Sequence, residues 1–131
     1  MRTLFAILSF SLLGLLACQQ DPAIQTVGVE EFAQIIQDSN VQQLDVRTPE
    51  EYAEGHIKGF TMIDVNADSF SNLVDEMLQK DLPVAVYCRG GRRSLIAADI
   101  LVKKGFTKIY NLEAGYTSWV DAGKEVTPPA K

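Results

Sequence analysis

The stretch PVAVYCRGGRRS, residues 83–94, carries the signals of a strand, a loop and a helix start in immediate succession. Residues 83–87 form a short and nearly all-apolar run, which is typical of a central parallel strand covered on both faces. Seven polar or glycine residues, 88–94, separate this run from a helical pattern over 95–104. The stretch therefore predicts a buried strand, a tight loop and a helix, the unit from which open α/β sheets are built.

Helical and strand patterns alternate on both sides of this unit. The predicted helices cover residues 29–38, 48–55, 68–80, 95–104 and 116–122. The predicted strands cover residues 41–46, 61–65, 83–87 and 108–112. This alternation predicts an α/β domain with a mainly parallel central sheet and helices on both faces.

The loop after the central strand has the residues of an anion site built around a nucleophile. Cys88 opens it at the carboxyl end of the strand, where open α/β sheets place their ligand sites. Two glycines allow the backbone to curl and turn its N–H groups inward, and the helix start adds partial positive charge. Further positive charge comes from Arg89, Arg92 and Arg93. These features favour an ionised Cys88 that binds an anion beside it. The alternative is a solvent-exposed basic turn next to an unreactive cysteine in the core.

Three motifs, in order, resemble those of single-domain rhodanese-like sulfurtransferases. They are CRGGRRS at 88–94, DVRTPEEY at 45–52 with GHIKG at 55–59, and NLEAGYTSW at 111–119 with AG at 122–123. The resemblance covers about residues 26–127 and implies the family's three-layer sandwich. The chain departs from the family pattern at Ala114, where a second glycine is common, and at Phe60 and Asp64, which replace a small residue and a proline.

The resemblance implies sulfur transfer through Cys88. Its thiolate would take the sulfane sulfur of thiosulfate or a persulfide donor, and the Cys88 persulfide would pass it to cyanide or a thiol. Arg89 and Arg93 are expected to help hold the anion, whereas Arg92 could equally point into solvent. The expected substrate-binding set is Arg89, Gly90, Gly91, Arg92, Arg93 and Ser94. No cofactor is implied, and no group of residues has metal-ligand spacing.

Two other functions stay open. The same loop could hold persulfide or polysulfide for a partner enzyme, as a carrier module without turnover of its own. Related phosphatases and arsenate reductases use a C-x5-R loop, whose wider ring admits a tetrahedral anion. Here Cys88 and Arg93 frame a six-residue C-x4-R loop. The smaller ring argues for transfer of a single sulfur atom.

Several polar and aromatic residues near the motifs are expected to have structural roles. Asp45 and Arg47 are expected to form a buried pair supporting the active-site edge. His56, the only histidine, is expected to be a hydrogen-bonded structural residue rather than a general base. Tyr116 and Trp119 are expected in the core. A solvated helix face is expected for Glu50, Glu51 and Glu54.

The first residues predict export and lipidation. The start MRT is positive, and the 13 apolar residues 4–16 are fewer than the roughly 20 that span a bilayer. LLAC at 15–18 resembles a bacterial lipobox, which would make 1–17 a lipoprotein signal peptide and Cys18 the lipidated residue; the alternative is an ordinary secreted protein with a chance cysteine. The remaining chain divides into a tether at 18–25, a domain at 26–127 and a tail at 128–131. We expect a lipid-anchored, extracytoplasmic protein on the periplasmic side, and Gln19 favours the outer membrane.

The net charge and the number of cysteines limit the classes of partner that we expect. Loss of Arg2 with the signal would leave 11 of the 12 Lys and Arg residues against 17 Asp and Glu, a net charge of −6. An acidic chain is unsuited to nucleic acid, whose binding depends on neutralising phosphates. Lipidation of Cys18 would leave Cys88 as a lone thiol in a compartment where disulfides form. The expected partners are a small sulfur-donating anion, a thiol or cyanide acceptor, and the membrane that holds the anchor.

Overall fold

A parallel five-stranded sheet with helices on both faces forms the centre of the protein, as the alternating pattern predicts. The computed structural model describes residues 20–128. Its strands are β1 (Ile24–Val27), β2 (Gln42–Asp45), β3 (Thr61–Met62), β4 (Val84–Tyr87) and β5 (Ile109–Leu112). Its helices are α1 (Val29–Ile35), α2 (Pro49–Glu54), α3 (Phe70–Met77), α4 (Arg92–Lys103) and α5 (Gly115–Asp121). The strand order is β1-β5-β4-β2-β3.

The central position of β4 explains its uninterrupted apolar sequence. The strand pairs with β2 on one side and β5 on the other, and all four of its residues are buried. Val84 and Val86 face a hydrophobic cluster shared with α3 and α4. Ala85 and Tyr87 face a second cluster, shared with α1 and α5. Successive side chains of a strand point to opposite faces, so both faces of β4 demand apolar residues.

The first strand was not predicted. The predicted tether includes Ile24 and Gln25, which pair in β1 with Ile109 and Tyr110 of β5. β1 lies at the edge of the sheet, and its two middle residues, Gln25 and Thr26, are exposed. A four-residue edge strand with a polar middle has too little periodicity to be distinguished from a linker.

Several predicted element boundaries also differ from the structure. α1 ends at Ile35 rather than at residue 38, and α3 covers Phe70–Met77 rather than residues 68–80. α4 begins at Arg92, three residues before the predicted start, so Arg92, Arg93 and Ser94 belong to the first turn of the helix. β3 comprises two residues rather than the five predicted, since it pairs only with β2 at the other edge of the sheet. The predicted signal peptide, Cys18 and all but the first residue of the predicted tail lie outside the described residues. Within residues 20–128, no helix has the length and apolar character needed to cross a membrane.

Candidate active site

Cys88 lies at the carboxyl edge of the sheet, directly after β4 and four residues before α4 begins. Its side chain is buried, with 1% of the residue exposed. The Gly91 N–H donates to its Sγ at 3.0 Å, and Ser94 Oγ lies 3.3 Å from the same sulfur. Ser94 Oγ is also 3.1 Å from the Gly91 carbonyl oxygen. A hydroxyl both donates and accepts, so Ser94 can accept from a Cys88 thiol or donate to a thiolate.

The backbone contacts of the sulfur are fewer than the loop composition suggested. Within residues 20–128, Gly91 supplies the one backbone N–H in hydrogen-bonding distance of Sγ, rather than one of several. Because α4 starts at Arg92, only three residues separate Cys88 from the helix. The first-turn N–H groups of α4 lack partners within the helix and point out of its N-terminus. They are therefore available to an anion beside the sulfur more than to the sulfur itself.

The N-terminus of α5 holds the loop in place. The Tyr116 N–H donates to the Cys88 carbonyl at 2.8 Å, and the Thr117 N–H donates to the Arg89 carbonyl at 3.1 Å. Gly115 makes this approach possible, because a Cβ there would lie 2.3 Å from the Cys88 oxygen and 2.7 Å from the Arg89 oxygen. Gly115 was not predicted as a site residue. A glycine within the third motif was the one feature of the sequence that could have indicated this close approach.

Arg93 makes an ion pair that sequence reasoning missed. Its guanidinium donates to both carboxylate oxygens of Glu51, at 2.6 and 2.9 Å. Glu51 also closes a capping box with Thr48 at the start of α2. These hydrogen bonds, those of Arg93 foremost, lower the pKa of Glu51 to about 2. Glu51 was expected on a solvated face, and that prediction is wrong, whereas Glu50 and Glu54 are exposed as expected.

The expected buried pair of Asp45 and Arg47 is present. Arg47 Nη2 lies 2.8 Å from Asp45 Oδ2 and also donates to the Gly55 carbonyl at 2.8 Å. The Tyr87 hydroxyl donates to the same carboxylate. Burial opposes the charge on Arg47, but the hydrogen bonds and charge of Asp45 outweigh it and raise the pKa of Arg47. Burial, with the Asp45 charge, raises the pKa of Tyr87 and keeps its hydroxyl a donor. The network joins the ends of β2 and β4 beneath the loop.

His56 makes the structural contacts expected of it. Its Nδ1 lies 2.9 Å from the Tyr52 carbonyl oxygen, and its ring stacks on the Tyr52 ring at 3.7 Å. Its own carbonyl accepts from the Thr127 N–H at 2.8 Å. Trp119 is buried in the core as expected. Tyr116 is only half-buried, and the Arg47 guanidinium lies 4.3 Å from the centre of its ring.

A cleft of about 290 Å³ borders the loop on the side of α2 and α5. Its lining residues are Arg47, Glu51, Glu54, Arg89, Tyr116, Thr117, Val120 and Asp121. Arg89 is exposed and reaches this cleft, whereas Gly90 and Arg92 are exposed outside its lining. The structure thus gathers Cys88, Gly91 and Ser94 at the sulfur, and brings Arg89 to the cleft. Within residues 20–128, no group of three His, Cys, Asp or Glu side chains could hold a metal ion.

The structure is that of a parallel α/β domain with a cysteine between its central strand and a helix N-terminus, at the sheet edge where such folds usually place their ligand sites. The profile described as "Rhodanese-like domain" matches residues 28–122. The chain belongs to this family.

Individual relatives agree with the family assignment. Proteins named thiosulfate sulfurtransferase GlpE from several bacteria are similar to this chain. The one from Pseudoalteromonas translucida is 30% identical over 79% of this chain and 95% of the relative. The one from Pseudomonas fluorescens strain SBW25 is 37% identical over 68% of this chain and 79% of the relative. A crystal structure of a rhodanese-like domain protein from Staphylococcus aureus has a TM-score of 0.67 at 26% identity, covering 81% of this chain and 99% of that chain. These relatives support a rhodanese-family enzyme with sulfurtransferase-type activity.

Proposed function

We propose that the protein moves a sulfane sulfur from thiosulfate or a persulfide donor, through a persulfide on Cys88, to cyanide or a thiol. The observation that carries the proposal is the environment of the Cys88 sulfur. The Gly91 N–H and the Ser94 hydroxyl both contact Sγ, and the N-terminus of α4 follows directly. The Gly91 N–H and the helix N-terminus present partial positive charge to the sulfur, and the Ser94 hydroxyl can turn from the Gly91 carbonyl to donate to a thiolate.

In the first step, the Cys88 thiolate attacks the outer sulfur of thiosulfate. A new sulfur–sulfur bond forms to Cys88, and the bond to the sulfonate sulfur breaks with its electron pair leaving on sulfite. The persulfide and sulfite together carry the charge of the thiolate and thiosulfate, so no oxidant is needed. The N-terminal N–H groups of α4 and the Arg89 guanidinium stabilise the dianion and the departing sulfite.

In the second step, an acceptor thiolate or cyanide attacks the outer sulfur of the persulfide. The sulfur–sulfur bond breaks, its electrons return to Cys88, and the product is a new persulfide or thiocyanate. The Gly91 N–H and the Ser94 hydroxyl lie within 3.3 Å of Sγ. Both can donate hydrogen bonds that stabilise the negative charge as it returns to the sulfur. Two chemical steps with a covalent intermediate give ping-pong kinetics.

A cyanide assay on the full chain tests this function, and the two cysteines provide a matched pair of variants. Cys88→Ser should abolish thiocyanate formation from thiosulfate and cyanide, whereas Cys18→Ser should retain it. Sulfur loading that never supports more than one turnover would contradict the proposal and favour a carrier module. Hydrolysis of an aryl phosphate by Cys88, without thiocyanate formation, would favour a phosphatase instead.

We also propose that the protein is an extracytoplasmic lipoprotein anchored through Cys18. The support is the sequence itself, a charged start and an apolar run that end in LLAC at residues 15–18. When bacteria that express the full chain are grown with a tagged fatty acid, the protein should become labelled. Cys18→Ser should remove the label and Cys88→Ser should not. A label that survives in Cys18→Ser, or none on the unmodified protein, would overturn the anchor.

A further inference from the structure

The cleft beside the active-site loop is lined by charged side chains of both signs. Arg89, adjacent in sequence to the nucleophile, contributes a positive charge. Glu54 of α2 and Asp121 of α5 contribute two negative charges, and both residues are exposed. Within residues 20–128, none of these three side chains takes part in a salt bridge. Their charges are therefore available to a ligand.

The remaining charges in the cleft are already compensated. Glu51 is paired with Arg93, and Arg47 is paired with Asp45 and almost completely buried. The half-buried ring of Tyr116 and the exposed side chain of Val120 add apolar surface. The uncompensated carboxylates make the cleft unfavourable for a thiol that carries only negative charge. They favour a ligand with a cationic group.

The size of the cleft indicates a small molecule. About 290 Å³ is just below the roughly 300–1,000 Å³ that is usual for small-molecule sites. Thr117, which lines the cleft, donates its N–H to the carbonyl of Arg89, so the cleft wall and the loop are directly connected. A ligand bound here lies next to the residue that follows Cys88.

We propose that this cleft binds the sulfur acceptor, and that the acceptor is a small thiol carrying a protonated amine. Glu54 and Asp121 hold the ammonium group, and Arg89 holds a carboxylate where the acceptor has one. The inference rests on the proposed sulfur transfer through Cys88 and adds to it the chemical class of the acceptor. The acceptor thiolate takes the outer sulfur and leaves as a persulfide, while Cys88 regains its electron pair.

The test measures discharge of the preloaded protein. The full chain is loaded with thiosulfate, desalted and mixed with cysteamine, cysteine, 2-mercaptoethanol or 3-mercaptopropionate, and second-order rate constants are expressed per acceptor thiolate. We expect the two amine-bearing thiols to react fastest and 3-mercaptopropionate slowest. The selectivity of cysteamine over 2-mercaptoethanol should fall about three- to tenfold in the double variant Glu54→Gln/Asp121→Asn, as expected for the loss of two exposed ion pairs.

A second double variant controls for net charge. Glu50 and Glu113 are also exposed and do not line the cleft; Glu50 belongs to α2, and Glu113 lies two residues before α5. Glu50→Gln/Glu113→Gln removes the same charge and should leave the selectivity unchanged. Equal effects of both double variants would show a long-range charge effect and overturn the inference.

Three further outcomes separate this inference from the function on which it rests. If the protein does not load with sulfur at all, the proposed function fails. If it loads, and all four thiols discharge it at equal rates per thiolate, the function stands and the amine-binding cleft is wrong. Slow discharge by all four, with rapid discharge by a small thiol protein, would also overturn the inference and assign the acceptor to the protein class.

Discussion

Gly115 is the residue on which the geometry of the active-site loop depends most directly. Its φ of +57° lies in the left-handed region, and its missing side chain leaves room for the carbonyls of Cys88 and Arg89. A Cβ at this position would overlap both carbonyl oxygens, and these belong to backbone that cannot move without moving the nucleophile.

Gly115→Ala should therefore lower the free energy of unfolding by about 2–4 kcal/mol and impair sulfur loading of the protein that still folds. Urea unfolding measures the first effect, and the mass of the thiosulfate-treated folded protein measures the second. Gly123→Ala is the matched control, because Gly123 also has a positive φ, of +71°, but nothing within 4 Å of its would-be Cβ. That variant should lose only about 1 kcal/mol and load normally. Equal behaviour of the two variants would contradict the packing argument.

Ala114 is a non-glycine residue in a backbone conformation that favours glycine. Its φ of 54° is the one positive value among the non-glycine residues of the described chain. It occupies the position where the resemblance leads one to expect a glycine. The steric strain of an alanine in the left-handed region destabilises the fold more than the extra backbone entropy that a glycine loses on folding.

Ala114→Gly should raise the free energy of unfolding by about 0.5–1 kcal/mol. Ala122→Gly, at a position with a negative φ of −77° just beyond α5, should instead be neutral or destabilising. Chemical denaturation of the two variants measures both values. A destabilised Ala114→Gly would show that the αL strain is absent.

The ion pair between Arg93 and Glu51 links two helices, because it joins the first turn of α4 to α2. Both side chains are mostly buried, with 24% and 18% of their surfaces exposed. The pKa of Glu51, about 2 against an ordinary value of 4.5, means that the folded state favours its ionised form. Stability from this pair is therefore fully present above pH 4.5 and is lost as the pH falls towards 2.

Glu51→Gln should cost about 1–2 kcal/mol at pH 6, and the difference from the unmodified protein should shrink between pH 4.5 and 2. A glutamine retains the capacity to close the capping box with Thr48, so the variant isolates the loss of charge. Urea unfolding at a series of pH values measures the difference. The control, Glu50→Gln, removes an exposed charge from the same helix and should show no comparable pH dependence. A difference that stays constant over this range would contradict the assigned ion pair.

For the whole molecule, the features predicted correctly from the sequence are those with a local signal. The burial of β4 on both faces appears as a continuous apolar run, and the loop after it is marked by glycines and a helix start. The position of Cys88 follows from these two signals, and the fold class follows from the alternation of helical and strand patterns along the chain. The capping residues of α2, Thr48 and Pro49, are equally local and mark its start correctly.

The features that could not be predicted from the sequence depend on partners distant in the chain. Arg93 and Glu51 are 42 residues apart, and the N–H groups of α5 meet the loop carbonyls only after β5 has placed that helix. β1 is stabilised by pairing with β5 at the opposite end of the domain sequence. Local periodicity carries no information about such pairs, because the contact exists only in the assembled sheet.

Sulfur transfer through Cys88 is tested by the mass of the protein after incubation with thiosulfate and removal of excess reagent. We expect that one sulfur atom is added, that peptide mapping places it on Cys88, and that cyanide removes it. Cys88→Ser should gain nothing under the same conditions. A correctly folded protein whose Cys88 stays unmodified by thiosulfate and by a persulfide donor would contradict the central claim.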